Sequence, residues 1–384
     1  MNNSTVNSIS TPDAREGMAA YSKSRLQVAW EQFRKHQLAL FGALILFAMY
    51  VGAIFSPFIS PYGLTEYSTS NITRFHPPTQ VRFFDEKGAF GFPFVYATKS
   101  ELDMTTFAQT YVEQPNIKCP IRFFVSRPEQ PYNLFFVIPT SIRLFAVDQP
   151  CNIFLMGADL YGRDVFTRLW YGAAVSLTIG IFAVTLSTVI GLIMGGLAGY
   201  YGGWIDNLVM RFIEIIGAIP GLFLLLTLTS VLPQDINPLL VFYSIIFLLG
   251  LIGWGGLART VRSQISALRE SDMVQAATAL GASEARVIAV HMLPITFSLL
   301  IVGLSLGIPG AILAESGLSF LGRGIREPYS SWGSMIAQAQ EGGFSSIAYR
   351  PWMLIPGFFI VIAVLCWQFL GDGLRDALDP RKRQ

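Results

Sequence analysis

Six stretches of this chain run without a single Asp, Glu, Lys or Arg: 37–65, 169–205, 215–234, 236–258, 287–314 and 351–371. A hydrocarbon core about 30 Å thick is crossed by about 20 apolar helical residues rising about 1.5 Å each, so every stretch is long enough to span. In lipid a helix satisfies its own backbone hydrogen bonds, which an open strand cannot do. An all-α polytopic membrane protein with six transmembrane helices is therefore predicted. With 52% hydrophobic and 14% charged residues, the 384-residue chain does not read as a pair of soluble domains. Mostly polar residues 1–36 precede the first stretch, which is too long for a signal h-region and lacks a clear cleavage site; a retained first helix over 37–60 is expected.

Charge sets the expected orientation. Lys23, Arg25, Arg34 and Lys35 lead into the first span, Arg259, Arg262, Arg269 and Arg286 mark the fourth connection, and Arg375, Arg381, Lys382 and Arg383 follow the last span. With six spans these clusters share one side, which places both termini in the cytoplasm. Segment 61–168 is too long to count in that balance. It alternates apolar stretches, such as Val81-Arg82-Phe83-Phe84 and Ile121-Arg122-Phe123-Phe124-Val125, with turn dipeptides, and reads as a small inserted β-rich extracytoplasmic domain. Cys119 and Cys151 both lie in it; an oxidising compartment permits a disulfide between them, but separation in sequence does not establish one.

The connection 259–292 is too polar for the membrane and too regular for a loop. Val261, Ile265 and Leu268 continue the fourth helix at helical spacing. Asp272 offers an N-cap with Gln275 at capping-box distance, Val274, Ala277 and Leu280 mark one apolar face, and Gly281 suits a left-handed stop. Ser283 and Glu284 then start a helix reaching Pro294. Read from pattern alone, this is either a docking helix or a plain hairpin linking two spans.

Several strings decide between them by resemblance. Gln275-Ala276-Ala277, Gly281, His291 and Leu293-Pro294 resemble the "EAA" loop of ABC-importer permeases, with Gln275 in place of the usual Glu and His291 in place of the usual Ile. Gly157-Ala158-Asp159-Leu160-Tyr161-Gly162-Arg163-Asp164-Val165-Phe166-Thr167-Arg168 resembles the GTDxxGRDxxSR segment of dipeptide/oligopeptide permeases. Gly199-Tyr200-Tyr201-Gly202-Gly203-Trp204, Ala314-Glu315, Ser331-Trp332-Gly333, Gly371-Asp372-Gly373 and Leu378-Asp379-Pro380 follow in that family's order. The long outer insert is similar to a subgroup that includes microcin-type peptide uptake permeases.

The resemblance implies a type I ABC-importer permease with a core over 169–374 and a tail over 375–384. It implies a bacterial cytoplasmic membrane protein paired with a second permease subunit, two ATPase subunits and an extracytoplasmic peptide-binding protein. Met273, Val274, Gln275, Ala276, Ala277, Leu280, Gly281, His291, Leu293 and Pro294 would form the ATPase-coupling loop. Asp159, Gly162, Arg163, Asp164, Glu315 and Trp332 would serve an outer gate or binding-protein docking. For the first four the bland alternative is a turn whose charges pair with one another. For Glu315 it is a hydrogen bond to backbone at the membrane rim. Pro220-Gly221 and Pro309-Gly310 predict kinks, as hinges or as local bends.

No Gly-Lys dipeptide exists, so no Walker A loop is present, and three His and three Cys show no metal-ligand spacing. ATP and Mg are thus expected on partner subunits, with no cofactor in this chain. No basic run with interleaved aromatics points to nucleic acid. An ion-coupled secondary transporter is the alternative reading, weakened by the lack of ionisable residues at the centres of the spans.

Overall fold

The computed structural model describes residues 25–65, 73–84, 90–102, 104, 109–134, 137–233, 235–341 and 347–378. Lys23, Arg381, Lys382, Arg383 and the Asp379-Pro380 pair lie outside the described residues. The chain opens with α1 (Arg25–Phe33), α2 (Gln37–Ile54) and the single turn α3 (Ser56–Ile59). The permease-like half follows as α4 (Val165–Tyr201), α5 (Gly203–Gly217), α6 (Gly221–Ser230), α7 (Pro238–Gly253), α8 (Gly255–Arg269), α9 (Asp272–Ala279), α10 (Glu284–Arg286), a π-helical turn (Val287–Met292), α11 (Leu293–Phe320), α12 (Trp332–Gln340) and α13 (Ile355–Leu378).

Among the described residues, four uninterrupted helical stretches are long and apolar enough to cross a membrane: Gln37–Ile54, Val165–Tyr201, Glu284–Phe320 and Pro351–Leu378. The pairs α5–α6 and α7–α8 qualify only jointly, bent by 82° and 43°, and bring the number to six if each is one span. The third and fourth uncharged stretches are thus not straight helices. Pro220 has no N–H and disfavours helical backbone at Ile219, so α5 stops at Gly217 and α6 restarts with Pro220 as its N-cap. Pro309 behaves differently and lies inside α11 without ending it. The π turn precedes Pro294, which cannot donate to the carbonyl of Val290; the wider turn takes up that mismatch.

Close helix contacts are made at glycines. Gly191, Gly195 and Gly199 recur every fourth residue on α4 and face α8. A Cβ there would lie 3.1 Å from the Trp254 carbonyl, 2.9 Å from Ala258 Cα and 2.6 Å from the Arg262 carbonyl, respectively. Small residues at this spacing let two backbones approach in lipid. Gly42 of α2 meets the Cys366 carbonyl of α13 at 2.8 Å in the same sense, and Gly371 of α13 meets Leu306 of α11 at 2.6 Å.

Between α3 and α4 lie short antiparallel strands. β1 (Arg82–Phe84), β2 (Phe90–Leu102) and β3 (Gln109–Pro120) form one sheet in that order. β4 (Arg122–Ser126) pairs with β7 (Ile142–Ala146), and β5 (Tyr132–Leu134) with β6 (Ile138–Thr140). Val95, Ala97, Ile121, Phe145 and Ile153 share a small core with the Cys119–Cys151 disulfide, whose S–S distance is 2.05 Å. Buried Arg143 fastens β7 to the end of α3, donating to Pro57 O at 2.5 Å and Tyr62 O at 3.3 Å.

Gly195→Ala should push α4 off α8 and destabilise the protein by about 1–3 kcal/mol, the range for overpacking. Gly196→Ala, whose Cβ would meet nothing within 4 Å, should change stability by less than about 1 kcal/mol. Thermal unfolding of both variants in the same detergent checks the contrast.

Candidate functional site

Helix α9 is a short helix with a defined start and stop. Ser271, not Asp272, is its N-cap, because Ser271 holds the extended backbone (φ −75°, ψ 146°) that capping requires. Its hydroxyl turns away to donate to Leu268 O at 2.6 Å. Asp272 sits in the first turn, where its charge suits the helix amino end. Gln275 closes no capping box; its Nε2 donates to Glu270 O at 3.2 Å. At the other end Gly281 takes φ +82°, with Gly281 N donating to Thr278 O at 2.9 Å and Ala282 N to Ala277 O at 3.1 Å, a Schellman stop.

Val274 is buried against Val261, Ile265, Val287, Met292 and Leu300, with Ala277 partly buried beside it. Leu280 does not share that face as the sequence led us to expect. Six residues at about 100° each carry it about 240° round from Val274, and it is 89% exposed. Met273, Ala276 and Leu280 instead make a stripe open to solvent. His291 lies half-buried in the π turn, Leu293 begins α11, and Pro294 is exposed.

Three links tie this region to the turn between α4 and α5. Asp206, in the first turn of α5, accepts on both carboxylate oxygens from Arg262 Nε and Nη2 of α8. Arg269 Nη1 donates to Tyr200 O at 3.0 Å, and the Tyr201 hydroxyl donates to Glu284 Oε2 at 3.1 Å. Above this clamp, α4, α6, α7, α8 and α11 enclose a groove of about 810 Å³. Its wall carries no charge, and Ser187, Thr188 and Thr260 supply its only polar side chains.

The far end of α4 holds two clusters built on buried side chains. Asp159 Oδ1 accepts from the backbone of Tyr161 (2.8 Å) and Arg163 (2.9 Å), while Oδ2 meets Arg163 Nε at 2.8 Å and Arg168 Nη1 at 3.3 Å. Glu327 completes it, at 2.7 Å from Arg163 and 3.3 Å from Arg168, so two cations face two anions. Burial pushes the Asp159 carboxyl up against the pull of Arg163. In the second cluster Glu315, wholly buried, accepts from the hydroxyls of Ser319 (2.6 Å) and Ser176 (3.3 Å). Trp332 N donates to Ser176 Oγ at 3.2 Å, and its indole donates to Leu169 O at 3.1 Å.

Asp164 belongs to neither cluster. It caps α4, accepting from Thr167 N at 2.8 Å and Thr167 Oγ1 at 2.6 Å. Gly162 takes φ +75°, and a side chain there would strike Thr73. Asp159, Arg163, Asp164, Glu315 and Trp332 are all buried, so in this conformation their side chains hold the turn and the helix ends together and do not themselves offer a docking surface.

The sequence model of the family described as binding-protein-dependent transport system inner membrane component matches residues 187–384, and that of the N-terminal TM domain of oligopeptide transport permease C matches residues 24–78. The chain belongs to this permease family. It is similar to the dipeptide transport system permease protein DppC of Bacillus subtilis, 32% identical over 364 residues covering 94% of this chain and 88% of that one. The oligopeptide transport system permease protein OppC of Haemophilus influenzae is 42% identical over 228 residues, 59% of this chain and 70% of its own. OppC of Bacillus subtilis is 37% identical over 246 residues, 64% of this chain and 77% of its own.

The permease contains pairings that the sequence reading passed over. Arg168 and Glu327 lie 159 residues apart, and Asp206 and Arg262 lie 56 apart; nothing local marks either pair. The Gly191-x3-Gly195-x3-Gly199 repeat is a legible signal for the α4–α8 contact. Gly303-Leu304-Ser305-Leu306-Gly307 has the spacing of a serine nucleophile motif, yet it lies inside α11 with Ser305 Oγ donating to Ile301 O at 2.9 Å. A nucleophile elbow needs a strand-to-helix turn, which this is not.

Burial pushes the Asp164 carboxyl up to about 7. Its unfolded value is about 3.9, so the folded state holds the proton more tightly and stability falls as pH rises between those values. Asp164→Asn should remove that part of the pH dependence, gaining on the native protein from pH 5 to pH 8. Asp164→Ala should lose the cap at about 1 kcal/mol throughout. Melting temperatures across that pH range check both.

Proposed function

We propose that this chain is one transmembrane half of an ATP-driven importer of dipeptides, oligopeptides or peptide-like compounds. It pairs with a second permease subunit, two ATPase subunits that bind ATP and Mg, and an extracytoplasmic peptide-binding protein. In this reading each bent pair is one span, giving the six-helix type I arrangement. Both termini and α9 then face the cytoplasm, and the β-rich segment 61–168 is an inserted domain on the other side.

The observation that carries the reading is α9: a short helix ended by a left-handed Gly281, seated by Val274, with Met273, Ala276 and Leu280 turned to solvent, in a chain without a Walker A loop. A stripe of that kind fits a groove on a partner. ATP-driven closure of the ATPases would move α9, and the Asp206–Arg262, Arg269–Tyr200 and Glu284–Tyr201 links would carry the motion to α5, whose continuation α6 lines the groove at Gly221, Leu222 and Leu225. The uncharged groove suits solutes of varied side chains, with Ser187, Thr188 and Thr260 offering hydrogen bonds to peptide amides. The second permease subunit would close its open side. The clusters around Asp159 and Glu315 would keep the outer end shut until the cycle rearranges it.

Ala277→Arg and Gly281→Pro should each abolish ATP-dependent peptide uptake in proteoliposomes holding the full complex, while insertion and association of the two permease subunits persist. Arg at 277 cannot be accommodated beside Val274, and Pro at 281 cannot adopt the left-handed backbone. Uptake at the native rate in both variants would reject α9 as the coupling element. A purified complex without any ATPase would reject the importer itself.

A further inference from the structure

The β5–β6 hairpin has a turn of the wrong chemistry for water. Solvent-facing hairpin turns use Gly, Asn, Asp or Ser, which supply the needed backbone angles and stay hydrated. Here the stretch 134–138 holds no polar side chain at all. Of its described members Val137 is 78% and Ile138 is 54% exposed. Apolar side chains left open beside one another on a protein surface mark a non-aqueous neighbour.

The position of the hairpin says which neighbour. β5 packs against α3, the turn that directly follows the first span. The Arg143 guanidinium, bound to Pro57 O of α3, lies 4.9 Å over the Tyr132 ring of β5, and the Tyr132 hydroxyl donates to Ile142 O at 2.5 Å. Nearby, Phe124 of β4 sits 6.2 Å from Phe58 of α3, ring to ring. Phe124 takes φ +54°, backbone that residues with side chains adopt at a cost, and Arg122, Phe123 and Phe124 are consecutively exposed where a strand would alternate. Leu44, Phe47 and Ile54 are exposed along one face of α2, the helix that leads into α3 and Phe58, so Phe124 and β5 both lie at the end of an apolar helix face.

We infer that Val137 and Ile138 of the β5–β6 hairpin, together with Phe124, rest in the bilayer interface at the end of the first span, seating the β-rich segment on lipid. The Tyr132 ring stands where amphipathic aromatics favour the headgroup level. The seat needs only that α2 crosses the membrane, so it stands or falls separately from the import reaction.

The test uses the full complex in nanodiscs of phosphatidylcholine and phosphatidylglycerol. Val137→Cys in a Cys366→Ser background, with the Cys119–Cys151 disulfide intact, takes a nitroxide label; Lys99→Cys on β2 serves as the aqueous reference. Collision with oxygen, which concentrates in lipid, and with a water-soluble nickel chelate is read by electron paramagnetic resonance. The label at 137 should favour oxygen and lose most nickel collisions relative to the label at 99. Equal nickel access at both positions would place the hairpin in water, and loss of both collisions at 137 would place it under a protein partner; either result overturns the proposal. Should Val137→Cys fail to reconstitute, Ile138→Cys is read by the same criteria.

Discussion

The approach of α4 to α8 is the contact on which the rest of the helical core depends. Lipid tails are as apolar as leucine, so burying hydrophobic surface cannot draw two helices together in a bilayer; close backbone packing can. Gly191, Gly195 and Gly199 supply it by removing the side chains that would hold the two axes apart. The placement of α8 in turn decides where α9 sits, since Val261 and Ile265 of α8 form the floor under Val274. It also brings Arg262 within reach of Asp206. One run of missing side chains thus positions both the exposed helix and the clamp beside it.

Charge is sorted by depth around that core. The groove wall is uncharged, while the ionic contacts gather at the two ends of α4. At one end buried Asp159 and solvent-facing Glu327 together balance two buried arginines within a few ångströms, which lets Arg163 and Arg168 stay ionised where they are nearly inaccessible to water. At the other end the Asp206–Arg262 pair is partly exposed, and its worth lies in geometry more than in energy, because a guanidinium held on both oxygens fixes orientation.

Much of this was legible in the sequence, for reasons that also explain the failures. Uncharged length reveals helices because the bilayer imposes it on every span, and its six stretches fall on the four long apolar helices and the two bent pairs found among the described residues. The same criterion is blind to direction, so the sharp bend at Pro220 was expected only as a kink, and Pro309, marked by the same dipeptide, ends nothing. Caps are local, and Gly281 was found; Ser271 displaced Asp272 because both residue types cap well and only backbone angles choose between them. The clusters around Asp159 and Glu315 were half visible. Their members were picked out one at a time, but the partners that neutralise or hydrogen-bond them, Glu327 and Ser176, come from distant regions of the chain with no pattern to announce them.

Helix α4 is 37 residues long, about 56 Å at about 1.5 Å per residue, while the hydrocarbon core needs only about 30 Å. It therefore protrudes from the bilayer and has the Asp159–Glu327 cluster at one tip and the Tyr200–Asp206 turn at the other. Such an element acts as a lever with the membrane as fulcrum. A tilt of about 5° about its midpoint sweeps each tip through about 2.4 Å, enough to break the hydrogen bonds at the tips without stretching a single bond within the helix.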